Sequence, residues 1–517
     1  MKIAVIGAGS SGLITLKYLL DTYLARDIVC FEKSQSIRGC WGNQRPDFVS
    51  TSTKYTTQFS CFRKWQADVS PSRNFEEFYR GSEFGDYLEE FADHFKLKQC
   101  IRFGVILNKF ERSQDKWQLR LMQDGQETVQ LFDAVFLCTG LVNERVPLES
   151  TTVPIADNPE TIRNSTVVIV GGGESASDIA NYLAKPEHNN KVFLSLRSGI
   201  RVSPRYHPIR GVPSDFLRNR LLLSFDKKLR NRIGEQFVSF RIRFEHVLSR
   251  FFPSQKKHLK TSRDLRKEWD MKLKSRAKDQ LFNVFHNKSD DFLDAVAEER
   301  LTIIGSPKDN AWQEFFDFDQ NNTLHIFPEI LVPSTGYKSR LPELSNGKIQ
   351  LRDFYQGCVH MYEKNLFLIG FARPIIGNIP SITEIQVRYT VGLLAEKLKL
   401  PLDVNAKHAL NRQMLAREYP SLNIENVYPV EQFPYCDELA REMNTFPSFA
   451  KCDLATWLKI MLTPASTTHY FDNDFDSATL KKQKVYMPEI IVGILWVFYL
   501  FLMPWQCIKR FINPTKE

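Results

Sequence analysis

Apolar runs of strand length, each closed by a glycine-rich or small-residue turn, recur along this 517-residue chain and set its organisation. KIAVIGAGSSGLITLKYLLD, near the start, reads as a strand, a glycine turn and a helix whose apolar positions repeat at helical spacing. DIVCF follows as a second strand, ending at Glu32. The same order returns in STVVIVGGGESASDIANYLA and the strand KVFLSLRSG. FDAVFLCTG and ILVPSTG are apolar strands that end in the small turns Thr139-Gly140 and Thr335-Gly336, where backbone crosses between units without side-chain obstruction. WQLRLMQDGQETVQL alternates about an Asp-Gly turn and predicts a hairpin. NLFLIGFARP predicts a further buried strand, and SITEIQVRYTVGLLAEKL a helix. This alternation predicts an α/β fold with two nested Rossmann-type dinucleotide-binding domains. The first takes residues 1–150 and resumes over 310–400, the second lies between at 151–309, and a C-terminal region covers 401–486.

Two segments depart from this pattern. From Phe216 to Phe252 apolar residues recur near every fourth position, through Leu221, Phe225, Leu229, Ile233, Phe237, Phe240, Phe244 and Leu248, which predicts a helical stripe within a basic insert at 214–280. Between Ser214 and Asp279 stand 19 Lys and Arg against 8 Asp and Glu, so the net charge of +9 is concentrated there and the rest of the chain is slightly acidic. Such a helix either lies in a membrane interface, its cations against anionic headgroups, or packs on the protein with its arginines solvated. The second segment, Ile490 to Ile508, carries no charged residue. As a helix it spans about 28 Å, close to the hydrocarbon thickness of a bilayer. Lys481, Lys482 and Lys484 precede it and Lys509 and Arg510 follow, so residues 487–510 predict a membrane-anchor helix. No secretory signal precedes the first strand, and the catalytic part is expected to face the cytosol.

The glycine turns carry the chemistry. Gly7, Gly9 and Gly12 stand in G-x-G-x-x-G spacing with Ala8, Ser10 and Ser11 between them, and Glu32 lies twenty residues after Gly12. Glycine lets backbone N–H groups approach a pyrophosphate at a helix N-terminus, and the acid accepts hydrogen bonds from a ribose diol. In the second unit Gly171, Gly172 and Gly173 open the helix, with Ser175 and then Ala176 in place of the last glycine. Its following strand ends at Arg197 rather than at an acid. A guanidinium pairs with a 2′-phosphate, which favours NADP; the other reading is a solvated loop cation. Two dinucleotide sites in one chain, one fixed and one exchanging, call for electron or hydride transfer between them.

Other chemistry is excluded in turn. Hydrophobic residues at 43% and charged residues at 25% rule out wholesale disorder. The nine cysteines form no C-x-x-C pair, so neither a disulfide scaffold nor a dithiol centre is expected. His207, His246, His258 and His286 lack metal-ligand spacing, and no metal site is expected. Ser11 and Ser175 do not lie in G-x-S-x-G, and no aromatic-basic motif points to nucleic acid.

With these residues in view the sequence resembles the flavin-containing monooxygenases, in particular the membrane-bound animal-type, dimethylaniline monooxygenase-like members. The resemblance rests on GAGSSG at 7–12, FEKSQSIRGCW at 31–41, VIVGGGESASDIA at 168–180, STGY at 334–337 and LFLIGF…TEIQVRY at 366–389, and covers residues 1 to about 400. It implies FAD at the first site, with contacts at Gly7 to Ser11, Glu32, Cys40 and Trp41, and NADPH at the second, with contacts at Ser195, Leu196, Arg197 and Ser198. It places Thr51, flanked by Ser50 and Ser52, where the family has a flavin-proximal Asn, and it includes Gly336 in the cofactor-binding set. Arg38 replaces a family glycine before Trp41; it either stabilises anionic reduced flavin or faces solvent. The F-x-G-x-x-x-H signature before the second fingerprint is missing, the stretch here being PIADNPETIRNS. The resemblance also directs the start of the helix with Glu384 and Gln386 at the flavin pyrimidine edge and makes Asn378 a lining residue of the active site. It implies a monooxygenase that inserts one atom of O2 into soft nitrogen or sulfur of small lipophilic molecules through a flavin C4a-hydroperoxide. The alternatives are Baeyer–Villiger or halogenating chemistry, NADPH oxidase activity, or a nucleotide-sensing membrane protein. The expected location, from the family, is the endoplasmic reticulum membrane, with lipid as a partner of the C-terminal helix and of the basic insert.

Overall fold

The computed structural model describes residues 1–42, 44–65, 75–141, 144–148, 152–207, 211–244, 260–308, 311–470 and 483–487. Its first sheet is built on β1 (Ile3–Ile6), whose four residues are all buried because they are apolar on both faces. β1 runs parallel to β2 (Ile28–Glu32) on one side and to Ala134–Leu137 on the other. Ile101–Phe103 continues the sheet beyond β2. Leu366–Leu368, Val359–His360 and Phe354–Tyr355 continue it beyond Ala134–Leu137, so the chain returns to this sheet after completing the second one. Helix α1 (Ser10–Leu20) covers it with Leu13, Ile14, Leu16 and Leu19, each fully buried.

The second sheet repeats the plan. Thr166–Val170 lies parallel between Lys191–Ser195 and Ile330–Pro333, and Leu301–Pro307 extends it. Glu314–Asp317 and Thr323–His325 add an antiparallel edge. The chain therefore leaves this unit after Pro333, and the boundary read at 309/310 falls inside its sheet. The α/β architecture of two Rossmann-type units is thus present. The Asp-Gly hairpin also forms: Gln123 pairs with Gln126, and the two residues between have φ of +50° and +78°. Two positive φ values give the turn whose twist suits a two-residue loop.

The membrane expectations are corrected. Among the described residues no helix is long and apolar enough to cross a membrane. The stretch 490–508 and nearly all of the 487–510 helix read from it lie outside the described residues. The membrane-bound qualifier, the C-terminal membrane helix, the lipid partner and the endoplasmic reticulum location are therefore not carried further. The basic insert is corrected too. Its stripe is broken at Phe225-Asp226, where the Asp226 carboxylate accepts from Leu229 N at 3.0 Å and caps a new helix, Lys227–Arg243. Residues 245–259 lie outside the described set. Its cations meet acids of the same chain: Arg230 with Glu431 at 2.8 Å, Lys227 with Glu418 at 3.0 Å, Arg266 with Asp294 at 2.9 Å and Lys272 with Asp319 at 2.6 Å. Arg220 pairs with Asp437. Arg230 is buried, which a solvated or headgroup-facing cation would not be.

Candidate active site and its two cofactor cradles

Each unit places its glycine turn under a crossing strand. Gly7 has φ +98°, and a Cβ there would stand 2.6 Å from the Cys138 carbonyl oxygen; Gly171 has φ +136°, and its Cβ would stand 2.2 Å from that of Ser334. Cys138 N donates to Ile6 O at 2.8 Å and Ser334 N to Val170 O at 2.8 Å, so the crossings are built alike. Only glycine tolerates both the positive φ and the approach.

The first of these turns opens on a cavity of about 600 Å³ that Glu174, just after the second turn, also lines. Gly7, Gly9, Ser10, Ser11, Glu32, Cys40, Trp41, Ser50, Thr51, Ser52 and Asn378 line it, so one cavity gathers eleven of the residues singled out in the sequence. Ala8 is buried behind it, its N–H donating to Glu32 Oε2 at 2.7 Å. Glu32 Oε1 accepts from Ser34 N and Oγ, both at 2.9 Å, which fixes the carboxylate at the strand end. Gly12 packs against Gly7 O. Trp41 is held edge-on by Phe84, ring centroids 4.8 Å apart.

Other candidates lie elsewhere. Arg38 turns away to Asp86 at 2.8 Å and Glu89 at 3.6 Å. Glu384 is fully buried and accepts from Tyr18 OH at 3.0 Å and Ser60 N at 2.9 Å. Gln386 accepts from Gly370 N at 3.0 Å and donates to Tyr435 OH at 2.7 Å. Both hold the core rather than the cavity. In the second unit Gly173 and Ser175 are exposed at the mouth of their helix and Ala176 is buried beneath it. Ser195 donates to Gly305 O at 2.8 Å, Leu196 is buried, Arg197 is exposed and Ser198 half-buried. Gly336 sits in an exposed turn, its carbonyl accepting from Val146 N at 3.0 Å.

The structure adds residues that no motif marked. They grip β3 (Val49–Thr53), which carries Thr51, from the second unit. Arg205 donates to Val49 O at 2.5 Å and Ser50 O at 2.9 Å. Lys288 donates to Thr51 O at 2.5 Å. Asp215 Oδ2 accepts from Thr53 N and from the hydroxyls of Thr53 and Thr56, each at 2.9 Å. Its Oδ1 is buried without a hydrogen-bond partner. Asn378 completes the wall: it accepts from Ser381 N at 3.0 Å, capping the helix Ile379–Leu394, and donates to Thr56 O at 2.7 Å. Lys288 has no carboxylate partner within ion-pair distance among the described residues, and burial pulls its ammonium down to about 8. Glu174, which also lines the cavity, has its carboxyl pushed up by burial. Asn287 donates to Gly172 O at 3.0 Å and Ser177 Oγ at 2.8 Å, so the segment holding Lys288 is fixed to the second glycine turn.

Both cradles fit a dinucleotide. A Cβ on Gly9 would come 3.5 Å from the facing Gly39 Cα, and the bare backbone leaves that gap for a pyrophosphate at the start of α1. Gly173 opens the second helix with nothing within 4 Å of its Cβ position, and exposed Arg197 closes the adjacent strand.

Residues 1–273 match the flavin-binding monooxygenase-like family. The 4-hydroxybenzoate brominase (decarboxylating) of Marinomonas mediterranea is 27% identical over 420 residues, 77% of this chain and 75% of that protein. Flavin-containing monooxygenase 1 of Oryctolagus cuniculus is 24% identical over 491 residues, 86% of this chain and 84% of that protein. The solved cyclohexanone monooxygenase of Rhodococcus sp. Phi1 bound to NADP+ superposes with a TM-score of 0.59 at 15% identity, over 86% of this chain and 97% of that one, which shows a shared fold. With more than half of the chain matched and both cradles present, the chain belongs to the flavin-binding monooxygenase-like family and is an FAD- and NADP(H)-dependent monooxygenase of small molecules.

Proposed function

We propose that the chain oxygenates a small carbonyl compound, in the Baeyer–Villiger manner, rather than soft nitrogen or sulfur. The observation that supports this reading is Lys288, a buried ammonium held against the Thr51 carbonyl on the cavity wall. FAD, reduced by NADPH, supplies the activation of O2. Attack on a carbonyl requires a deprotonated, nucleophilic oxygen donor, whereas oxidation of an amine or sulfide requires a protonated, electrophilic one. A cation beside the reacting centre favours the anionic donor. Lys288 thus acts on charge, while Asn378 and Asp215 fix the wall that carries Thr51. Leu223, Phe285 and Ala465 give the cavity apolar surface that limits water. The solved neighbour named for cyclohexanone suggests the carbonyl class, and the charge at Lys288 is the reason to prefer it here.

A second reading, oxidation or halogenation of a phenolic ring, is favoured by the brominase relative alone. Product analysis under 18O2 with the FAD-loaded enzyme and NADPH separates the cases. A cyclic ketone, an aryl methyl sulfide, a tertiary amine and a phenolic acid with bromide are offered in parallel. The expected product is the labelled lactone. Sulfoxide or N-oxide alone removes the carbonyl reading, and hydrogen peroxide equal to the NADPH consumed makes the protein an oxidase.

A further inference from the structure

Arg218 lies just past the turn Ser214–Leu217 and lines the same cavity. Its guanidinium makes no ion pair or side-chain hydrogen bond among the described residues. The two acids that act on it electrostatically, Asp215 and Glu431, have other partners. Asp215 spends Oδ2 on Thr53 and Thr56, and Glu431 is held by Arg230 at 2.8 Å. Burial lowers the proton affinity of Arg218, and the carboxylates of Asp215 and Glu431, neither of them in ion-pair contact with it, offset this only in part. Arg218 is also near enough to Lys288 to weaken the hold of that ammonium on its proton. The cavity therefore carries two neighbouring cations, and Asp215 Oδ1, buried and unpartnered, stands beside them.

The cofactor phosphates do not account for this charge. Each pyrophosphate has its own helix N-terminus, at Gly7–Ser11 and at Gly171–Glu174, and exposed Arg197 is available to a 2′-phosphate. The segment holding Arg218 is tied instead to β3 and the adjoining wall, through Asp215. The cavity it lines also presents Leu223, Ala465 and Gln432, apolar and neutral groups suited to an organic molecule, alongside the charged Asp215 and Lys288. A guanidinium in such a setting matches a carboxylate in shape as well as charge.

We propose that Arg218 forms a carboxylate-binding subsite, so that the substrate is a small carbonyl compound bearing a carboxylate group. The proposal rests on the oxygenase reading above for the place the substrate occupies. Asp215 Oδ1 would accept from a hydroxyl or N–H on the same molecule.

Benzoate and its neutral isostere benzamide are titrated into the FAD-loaded enzyme, followed by perturbation of flavin absorbance. Benzoate is expected to bind about tenfold more tightly. Arg218→Met is expected to abolish the difference and Arg218→Lys to keep part of it, with the Kd for NADP+ unchanged in both. Turnover is compared between 4-oxocyclohexanecarboxylate and its methyl ester, the acid being the expected substrate. Equal binding of benzamide, or a variant that loses NADP+ instead of benzoate, overturns the subsite. If acid and ester are oxygenated alike, the subsite falls while the oxygenase reading stands. If neither is oxygenated and only peroxide forms, the oxygenase reading falls, and the benzoate titration still decides the subsite.

Discussion

Burial holds the Lys288 ammonium down to about 8, so its charge is lost within an accessible pH range. An unfolded lysine keeps its proton to about pH 10.4. Between the two values the unfolded chain binds more protons than the folded one, and stability rises with pH across that window. Lys288→Met carries no titrating group and flattens the rise, a difference read from Tm measured between pH 7 and 10.5. The same proton acts on the flavin. With the cation present, the reduced, anionic ring is favoured, so Lys288→Met should lower the two-electron midpoint potential at pH 7 by about 30 mV, ~1.4 kcal/mol for such a couple. The gap between wild type and variant should close above pH 8 as the native lysine loses its charge, which spectroelectrochemical titration resolves. Arg197 supports a separate test. It is exposed at the end of Lys191–Ser195, and Arg197→Ala should cut the preference for NADPH over NADH by about tenfold through a raised KM for NADPH. Arg197 could be proposed from the sequence because it follows a local fingerprint. Lys288 could not: HNKSDD has no motif, and its place depends on Asn287 docking on Gly172, 115 residues away along the chain.

The glycine turns show why local geometry is readable at the scale of the element. Strand, turn and helix are set by neighbours within about twenty residues, whereas the crossings at Cys138 and Ser334 that press on Gly7 and Gly171 come from more than a hundred residues further along the chain. Gly171→Ala meets the Ser334 carbonyl, a backbone atom that cannot swing aside, at a φ that L residues avoid. NADPH binding should fall steeply while FAD content stays near the native value, checked by nicotinamide titration of the purified yellow protein. The helix Ile379–Leu394 shows the limit of such reading. Only its first residues face the cavity; by Glu384 and Gln386 the helix has run into the core, where Tyr18, Ser60 and Tyr435 take both side chains. The basic insert misled for a related reason, since helical periodicity reports that one face is apolar and not what covers the other. Here the C-terminal region covers it, and the tests follow from that. Glu431→Ala leaves buried Arg230 without its counter-charge, a loss of about 3 kcal/mol by precedent for buried pairs, whereas Glu418→Ala, at a more exposed pair, should cost under about 1 kcal/mol. Chemical denaturation of the FAD-loaded variants measures both.

Across the whole molecule the nesting of two α/β units was visible in the order of apolar runs, but the contacts that join them were not, because no sequence pattern marks a side chain for a distant backbone carbonyl. Those contacts concentrate on β3. Four backbone requirements, at Val49 O, Ser50 O, Thr51 O and Thr53 N, are met by Arg205, Lys288 and Asp215, all from the second unit or its insert. Arg205 is itself fixed by Asp290 at 3.0 Å, and the Lys288 segment by Gly172 through Asn287. The strand that carries Thr51 is therefore held by the elements that surround the NADP(H) cradle, so a ligand that orders one site is expected to act on the other. Linkage makes this reciprocal: if NADP+ favours the gripped arrangement, it must also tighten the hold on FAD. Dissociation of FAD, followed by flavin fluorescence, should slow in the presence of saturating NADP+ by roughly fivefold or more. Arg205→Met removes two of the four backbone contacts and leaves both glycine turns intact. Its FAD release should be nearly indifferent to NADP+, while NADP+ alone still binds. A variant that keeps the full NADP+ effect would mean that Lys288 and Asp215 suffice to transmit it, and that the units communicate through the Thr51–Thr56 segment rather than along the whole strand.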